Sequence, residues 1–504
     1  MSKVIFNSVL AALLLAGCGD DASMADAGGP DAPGDAGAGP DVRPADGSSC
    51  EAPAGSATYA FESRYEPGVS SVSYSGQIFR HLLVQRLDAF IDGLGEDVDS
   101  GRLMTAESVR SALDFFYRFD GDANGDEPIG LDTDPPALQR TWNDVAAGKD
   151  LAGKTAGNDD VTDHRDWDGG DFRGWSDTSI HQGEPIDSPQ ELIEALFDAL
   201  ARNAALRAEG SQPTGPDGEA LPVYVTADGL DLKELIEKTL WMAVAFSQGT
   251  DDYLDDDVEG KGLRSPNTRD GDAAHTVLEH AWDEGFGYFG APRDYDQYSD
   301  DELASKGGRP DWQGMHDTSG DCRIDLLSEV AFGASINAAK RDRAAAEPTD
   351  FTADAFGAFV AGRALIARAG EVLTAEELDE LRAHRDRAVQ AWEAAIAATV
   401  VHYLNEVVAD MDALGSDEYA LVDHAKHWSE LKGFALGLQF NPRSPLHAPS
   451  GAGTLFEELH GLLGDRPVLA DGAVTVAAYR ANLLRARALM RQAYGFSAAN
   501  VEAW

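Results

Sequence analysis

From Thr374 to about Leu414 the chain reads TAEELDELRAHRDRAVQAWEAAIAATVVHYLNEVVADMDAL, roughly forty residues of helical periodicity with no proline or glycine. A helix that long draws its stability from neighbours packed along it, so it spans a whole bundle. No segment elsewhere alternates convincingly between apolar and polar side chains as a strand would. The fold class that follows is all-α, built from long antiparallel helices.

Other helices announce themselves by their start signals. Ser188-Pro189-Gln190-Glu191 is a capping box with proline at the first helical position, and Asp231 to Glu234 repeats that logic before LIEKTLWMAVAFSQG. The spacing of Ile78, Leu82, Leu83, Leu87, Phe90 and Ile91 predicts a first helix from near Gly76 to Asp92, and TAESVRSALDFFYRF a second after Met104. Further helical runs begin at Leu326, around Trp428, at LFEELHGLLG and at VTVAAYRANLLRARALMRQAYGF. Between them, GKDLAGKTAGNDDVTDHRDWDGGDFRGW holds too many Gly and Asp residues for regular structure. Long loops of that kind inside a domain are usually functional or cover a partner.

One pattern occurs twice. HTVLEHAWDEGFGYFG, from His275 to Gly290, returns shortened as HAKHWSELKGFALG, from His424 to Gly437. Laying Trp282 on Trp428 aligns Glu284 with Glu430, Gly287 with Gly433 and Tyr288 with Phe434, at a constant offset of 428 − 282 = 146 residues. Such self-similarity points to an internal duplication, with half-bundles over roughly 70–330 and 331–504. A glycine in mid-helix costs about 1 kcal/mol relative to alanine, so its recurrence implies a close helix contact or a bend. The two tryptophans read as core anchors.

The N-terminus carries an address. Met1-Ser2-Lys3, an apolar run from Val4 to Leu15, and Leu15-Ala16-Gly17-Cys18 resemble the signal and lipobox of bacterial lipoproteins, in which Cys18 is acylated. The run is too short to span a membrane, and Gly19 after the cysteine favours the outer membrane, facing the periplasm or the outside. Residues 1–18 are thus a signal peptide, 19–50 an acidic Ala/Gly/Asp/Pro tether with too little apolar surface to fold, and 51–504 the folded domain. Of three cysteines two remain, and in an oxidising compartment Cys50 and Cys322 either pair or stand as free thiols. The net charge of −48, with no compact Lys/Arg cluster, argues against a nucleic-acid partner.

Three constellations could carry chemistry. His424, His427 and Glu430 follow each other at i, i+3 and i+6, so neighbouring members share a helix face. His with Glu suits iron or another transition metal, and His280 and Glu284 on the other repeat are candidates to complete the set. The alternative is a His–Glu hydrogen bond or a solvated charged face. Second, Asp317, Ser319, Asp321, Arg323, Asp325 and Glu329 resemble a calcium loop, with oxygen side chains at positions one, three, five and nine and a carbonyl at seven. Cys322 occupies the usual glycine place, and Glu329 falls one residue late. The alternative is that these acids cap the following helix. Third, Asp120, Asp122, Asn124 and Asp126 begin like a calcium loop that Pro128 interrupts. No His-Glu-x-x-His motif, phosphate-binding Gly-x-x-x-x-Gly-Lys-Ser/Thr loop or Gly-x-Ser-x-Gly elbow is present.

In order, SSVSYSGQIFRHLL, LAGKTAGND, LEHAWDEGFGYFGAP, the Asp317 loop and HAKHWSELKGFALGLQFNP resemble a bacterial lipoprotein family known as domain of unknown function 4856. That family is similar to the imelysin-like proteins, exported all-α paired bundles linked to iron or haem acquisition, which carry a Gly-x-His-x-x-Glu motif. His427 and Glu430 match its last four positions, Ala425 replaces its glycine, and His280 to Glu284 is one residue too long. The resemblance implies a lipid-anchored, non-enzymatic protein that binds a metal or haem-like ligand between two half-bundles. The alternatives are an envelope protein that meets another envelope protein, with only structural calcium, and a metallopeptidase-like hydrolase.

Overall fold

The computed structural model describes residues 57–158, 164–167, 170–215 and 218–504. Cys18, Cys50 and the tether lie outside the described residues. Among the described residues the chain is all-α apart from a two-residue strand pair, 449–450 with 453–454, and isolated bridges.

The long helix runs from Ala375 to Ala413 and, at 1.5 Å per residue, is about 58 Å long. Its start is the one the sequence signals: Thr374 accepts from the Glu377 amide, and the Glu377 carboxylate accepts from the Thr374 amide at 2.8 Å. Helices Gly333–Ala344, Phe351–Arg368, Leu421–Gly437 and Val476–Tyr494 pack around it. Only residues 369–374 join helix Phe351–Arg368 to the long helix, which forces the two to run antiparallel. A second group, helices Ser75–Asp99, Ala106–Tyr117, Pro189–Ala208, Leu232–Leu240 and Val277–Phe289, joins it through contacts between the Leu232 and Leu421 helices. One contiguous core extends from Tyr59 to Trp504.

Both aligned glycines make close contacts. A Cβ on Gly287 would stand 2.8 Å from Tyr74 Cβ and 3.0 Å from Gln77 Cβ, and one on Gly433 would stand 2.6 Å from Lys238 Cβ. Trp282 and Trp428 are fully buried and donate to Phe359 O at 2.9 Å and Tyr479 Oη at 2.7 Å. They are core anchors, as their sequence setting implies.

Three elements differ from the sequence expectation. The first helix continues to Asp99 instead of stopping at Asp92, because Leu94 and Val98 extend its buried stripe beyond Gly93. The helix expected from Leu326 starts only at Gly333, since the buried side chains of Leu326, Val330 and Phe332 are laid down by non-helical backbone first. Beyond Leu240 the Leu232 helix widens into π-helical turns, Trp241–Phe246 and Gln248–Tyr253, a form often found at functional sites. Among the described residues no helix is long and apolar enough to cross a membrane.

Candidate metal centre

The widened turns deliver the segment DDYLDDD, residues 251–257, into the protein. Asp251 is 2% exposed and Asp255 4%. Carboxylates buried so deeply need partners. Arg382 Nε bonds Asp256 at 2.7 Å, and Arg385 Nη1 bonds both Asp256 at 3.0 Å and the Leu254 carbonyl at 2.8 Å. Arg443 grips Asp255 Oδ1 at 2.6 Å and the Thr250 carbonyl at 3.0 Å. The chain then folds back at Gly262, φ +49°, where a Cβ would stand 2.2 Å from the Asp255 carbonyl oxygen; only glycine fits.

Against this segment lies His164, from the Gly/Asp-rich loop. Its Nδ1 meets Asp251 Oδ1 at 2.5 Å, and its Nε2 stands 4.0 Å from Asp255 Oδ2 and 3.8 Å from Asp257 Oδ2. Ligand atoms of His164, Asp255 and Asp257 all fall within 4.8 Å of one another. Among the described residues this is the one such group of three or more His, Cys, Asp or Glu side chains. His164 and Asp257 are open to solvent, while Asp255 forms the buried floor.

The electrostatics are those of crowded acids. The hydrogen bond to Asp251, with the surrounding carboxylates, raises the His164 pKa despite burial. Burial raises Asp251. Burial opposes the Asp255 charge, but bonds from Asp257 and Arg443 outweigh it and hold its carboxyl below the usual range. Asp257 is pushed up to about 6 by its bond to Asp255, with burial behind it. Two carboxyl groups sharing a proton beside an imidazole whose free nitrogen faces them can exchange that proton for a divalent cation.

The donors proposed from sequence do not form such a group: His280 Nε2 and Glu284 Oε2 lie 3.8 Å apart, but no three of the proposed side chains bring their ligand atoms together. His280 and Glu284 lie on helix Val277–Phe289, and the other three on helix Leu421–Gly437. His280 Nδ1 meets the Ser73 carbonyl at 3.0 Å, its ring stacks on His275 at 4.5 Å, and Glu284 accepts from Gln77 Nε2 at 2.7 Å. Glu430 accepts from Tyr403 Oη at 2.7 Å and lies 3.6 Å from Lys238 Nζ. His427 turns to Asp410 at 2.8 Å, which keeps its pKa raised against burial, while burial lowers that of His424, whose Nδ1 lies 3.3 Å from Tyr419 Oη. Shared helix faces do put these groups near each other, but neighbouring helices offer each a separate partner.

The two acidic loops fold on themselves. Asp317 accepts from the amides of Gly320 at 2.7 Å, Asp321 at 3.2 Å and Cys322 at 2.8 Å. Glu329 accepts from those of Ser319 at 2.8 Å and Asp325 at 2.7 Å, Asp321 from that of Arg323, and Asp325 takes Gln139 Nε2. Cys322 adopts φ +66°, so the sharp turn is made without glycine, and it is disulfide-bonded. Cys50, the partner weighed from sequence, lies outside the described residues. Asp120 caps the short helix Gly121–Asn124 by accepting from the Asp122 and Ala123 amides, and Asp126 accepts from Asn143.

Sequence reading missed His164, Asp251, Asp255, Asp257 and Arg443 because no local spacing joins them. The available signal is the run of five acids in seven residues, separated by four residues from the apolar stretch LWMAVAF. No curated protein and no solved structure matches the chain. Residues 171–305, which include the 251–257 acids and the Trp282 helix but neither His164 nor the His427 helix, match the family model described as a domain of unknown function, DUF4856.

Proposed function

We propose that this protein is a lipid-anchored, non-enzymatic metal binder of the cell envelope, its ion held by His164, Asp255 and Asp257. The observation that carries the reading is His164: Asp251 fixes Nδ1, and Nε2 faces the carboxylate oxygens of Asp255 and Asp257. One imidazole and two carboxylates suit iron(II), manganese(II) or zinc(II) better than a soft ion. Arg443 occupies Oδ1 of Asp255, Oδ2 accepts from the Asp257 amide at 2.9 Å and keeps a second lone pair for the metal, and the exposed Asp257 gives an entry path. The signal-like N-terminus ending at Cys18 supports the anchor and an outer-membrane address. Calcium in the Asp317 loop, where burial and the charges of Asp325 and Asp317 push Glu329 up to about 7, would be structural.

The test is elemental analysis of the full chain purified without chelator, beside an Asp255→Asn, Asp257→Asn double variant and a His427→Ala, Glu430→Ala double variant. The reading expects stoichiometric transition metal in the parent and in the second variant, and none in the first. Metal retained by the first variant, or lost from the second, moves the site. A metal-free parent that also fails to take up added iron, manganese or zinc overturns the reading and favours an interaction protein.

A further inference from the structure

Toward the start of the Leu232 helix lies a separate cavity of about 240 Å³, walled by helices Ser75–Asp99, Leu232–Leu240, Gly333–Ala344, Ala375–Ala413 and Leu421–Gly437. Four of the chain's ten lysines line it: Lys233, Lys238, Lys340 and Lys426. In a protein of net charge −48 this is a concentration of scarce cations, and two of them are turned inward, Lys233 at 9% exposure and Lys238 at 8%. Arg86 adds a fifth positive group. Opposite stand Asp92, Glu234, Glu237 and Glu430.

These charges do not all close on each other. Lys238 closes on Glu234 at 2.9 Å and on Glu237, with Glu430 further off at 3.6 Å, but Lys233 stays 3.4 Å from Asp92 and 3.5 Å from Asp88. Charge-assisted hydrogen bonds ordinarily close to about 2.7–2.9 Å. Burial, with the Glu237 charge, holds the Asp88 carboxyl up at about 8 while Lys233 beside it draws it down, and with Asp88 five acids share the wall with five cations.

Polar atoms at the cavity also lack company. Both amide atoms of Gln85 and Nδ2 of Asn337 have no hydrogen-bond partner among the described residues, and Asn337 is 8% exposed. Buried amides in this state are ordinarily satisfied by something that occupies the space. Trp241 and Phe434 supply apolar walls, and with Asn337 they also line a small recess behind. At about 30 Å³ per water, the volume holds about eight waters, enough for an amino acid and too little for a long peptide.

We propose that this cavity binds a small zwitterion carrying both carboxylate and ammonium groups, of the size of a free amino acid or dipeptide. Lysine and Arg86 groups receive the carboxylate, the glutamates receive the ammonium, and the Gln85 and Asn337 amides meet the remaining polar atoms. A ligand of one sign would find as much repulsion as attraction here.

The experiment is calorimetric titration and thermal unfolding of the full chain with glycine, L-glutamate, L-lysine and diglycine, beside acetate and methylammonium as singly charged probes. At least one zwitterion binds one to one and raises the melting temperature, while the singly charged probes do not; amino acid against diglycine distinguishes the two sources. Gln85→Leu, and separately Asn337→Leu, weaken that binding at least tenfold while circular dichroism shows the helices intact. The proposal is overturned if no zwitterion binds at millimolar concentration, if acetate or methylammonium binds as tightly, or if folded single variants bind as the parent does. None of these outcomes depends on metal at His164.

Discussion

His164 is tied to Asp251 through Nδ1 at 2.5 Å, and that bond decides which nitrogen looks toward Asp255 and Asp257. A carboxylate behind a ligating histidine fixes its tautomer and raises its basicity, and its loss typically weakens metal affinity about 10–100-fold. Asp251→Ala is therefore expected to weaken manganese or zinc binding by that factor without changing the stoichiometry. Asp251→Asn, which keeps an acceptor oxygen, should fall between. Titration calorimetry on the three proteins measures this, and an unchanged affinity in Asp251→Ala would remove Asp251 from the site.

Two glycines five residues apart in one helix should respond with opposite signs. A Cβ on Gly362 would stand 2.1 Å from the Trp282 ring, which is held by its bond to Phe359 O, whereas nothing lies within 4 Å of a Cβ on Gly357. Gly362→Ala should cost at least about 1–3 kcal/mol, the usual range for overpacking. Gly357→Ala should stabilise by roughly 0.5–1 kcal/mol through helix propensity alone. Urea midpoints report both, and equal effects would contradict the close helix contact at Trp282.

The sequence reveals the helices because capping and periodicity are local. Ser188, Asp231 and Thr374 each cap the helix they precede. It shows the glycine contacts only in part: Gly287 and Gly433 stand out by alignment, but Gln77 and Lys238, the residues they admit, come from distant helices. The candidate centre is less legible still. His164 sits in a loop with no period to read, and its partners begin 87 residues later on backbone whose π turns have no local spacing to mark them. His427 and Glu430 were the visible pair because i, i+3 spacing can be read along the chain, whereas Asp410 and Lys238, which claim them, cannot.

Stability should fall as pH rises beyond neutrality. Burial pushes Asp294 and Asp300 up to about 6, Glu329 to about 7 and Asp88 to about 8. A carboxyl whose folded pKa exceeds its unfolded value binds more protons folded than unfolded, so its contribution is present below the unfolded pKa and lost as pH rises through the folded one. Glu302, held down at about 2 by Arg309, acts oppositely: its contribution is present above the unfolded value and lost only as pH falls toward 2. Burial lowers His81, to about 4, and His424 and His460. Their contributions grow as pH rises to the ordinary imidazole range and are complete above it, so the urea midpoint is expected to be higher near pH 7 than near pH 9. A midpoint that rises across that interval would show that these carboxyls ionise normally in the folded protein.

Arg363 is wholly buried and holds the Trp282 helix to its neighbour through charge. It bonds Asp283 Oδ1 at 2.8 Å, Glu279 Oε1 at 3.0 Å and Ser71 Oγ at 2.7 Å, while Tyr59 Oη donates to the same Asp283 oxygen at 2.7 Å. Removing one partner of such a pair leaves the other charge buried alone, a loss of about 3–5 kcal/mol. Arg363→Met should destabilise by that amount, and Arg363→Lys should recover only part, because an ammonium cannot span three acceptors as a guanidinium fork does. Burial already raises Asp283 with Arg363 in place, so in the methionine variant its pKa should climb further and acidification should restore stability. Denaturant midpoints of parent and variants near pH 5 and near pH 7 test this, the gap between parent and Arg363→Met closing at the lower pH. A gap that stays constant would mean Arg363 acts by packing volume and not by its charge.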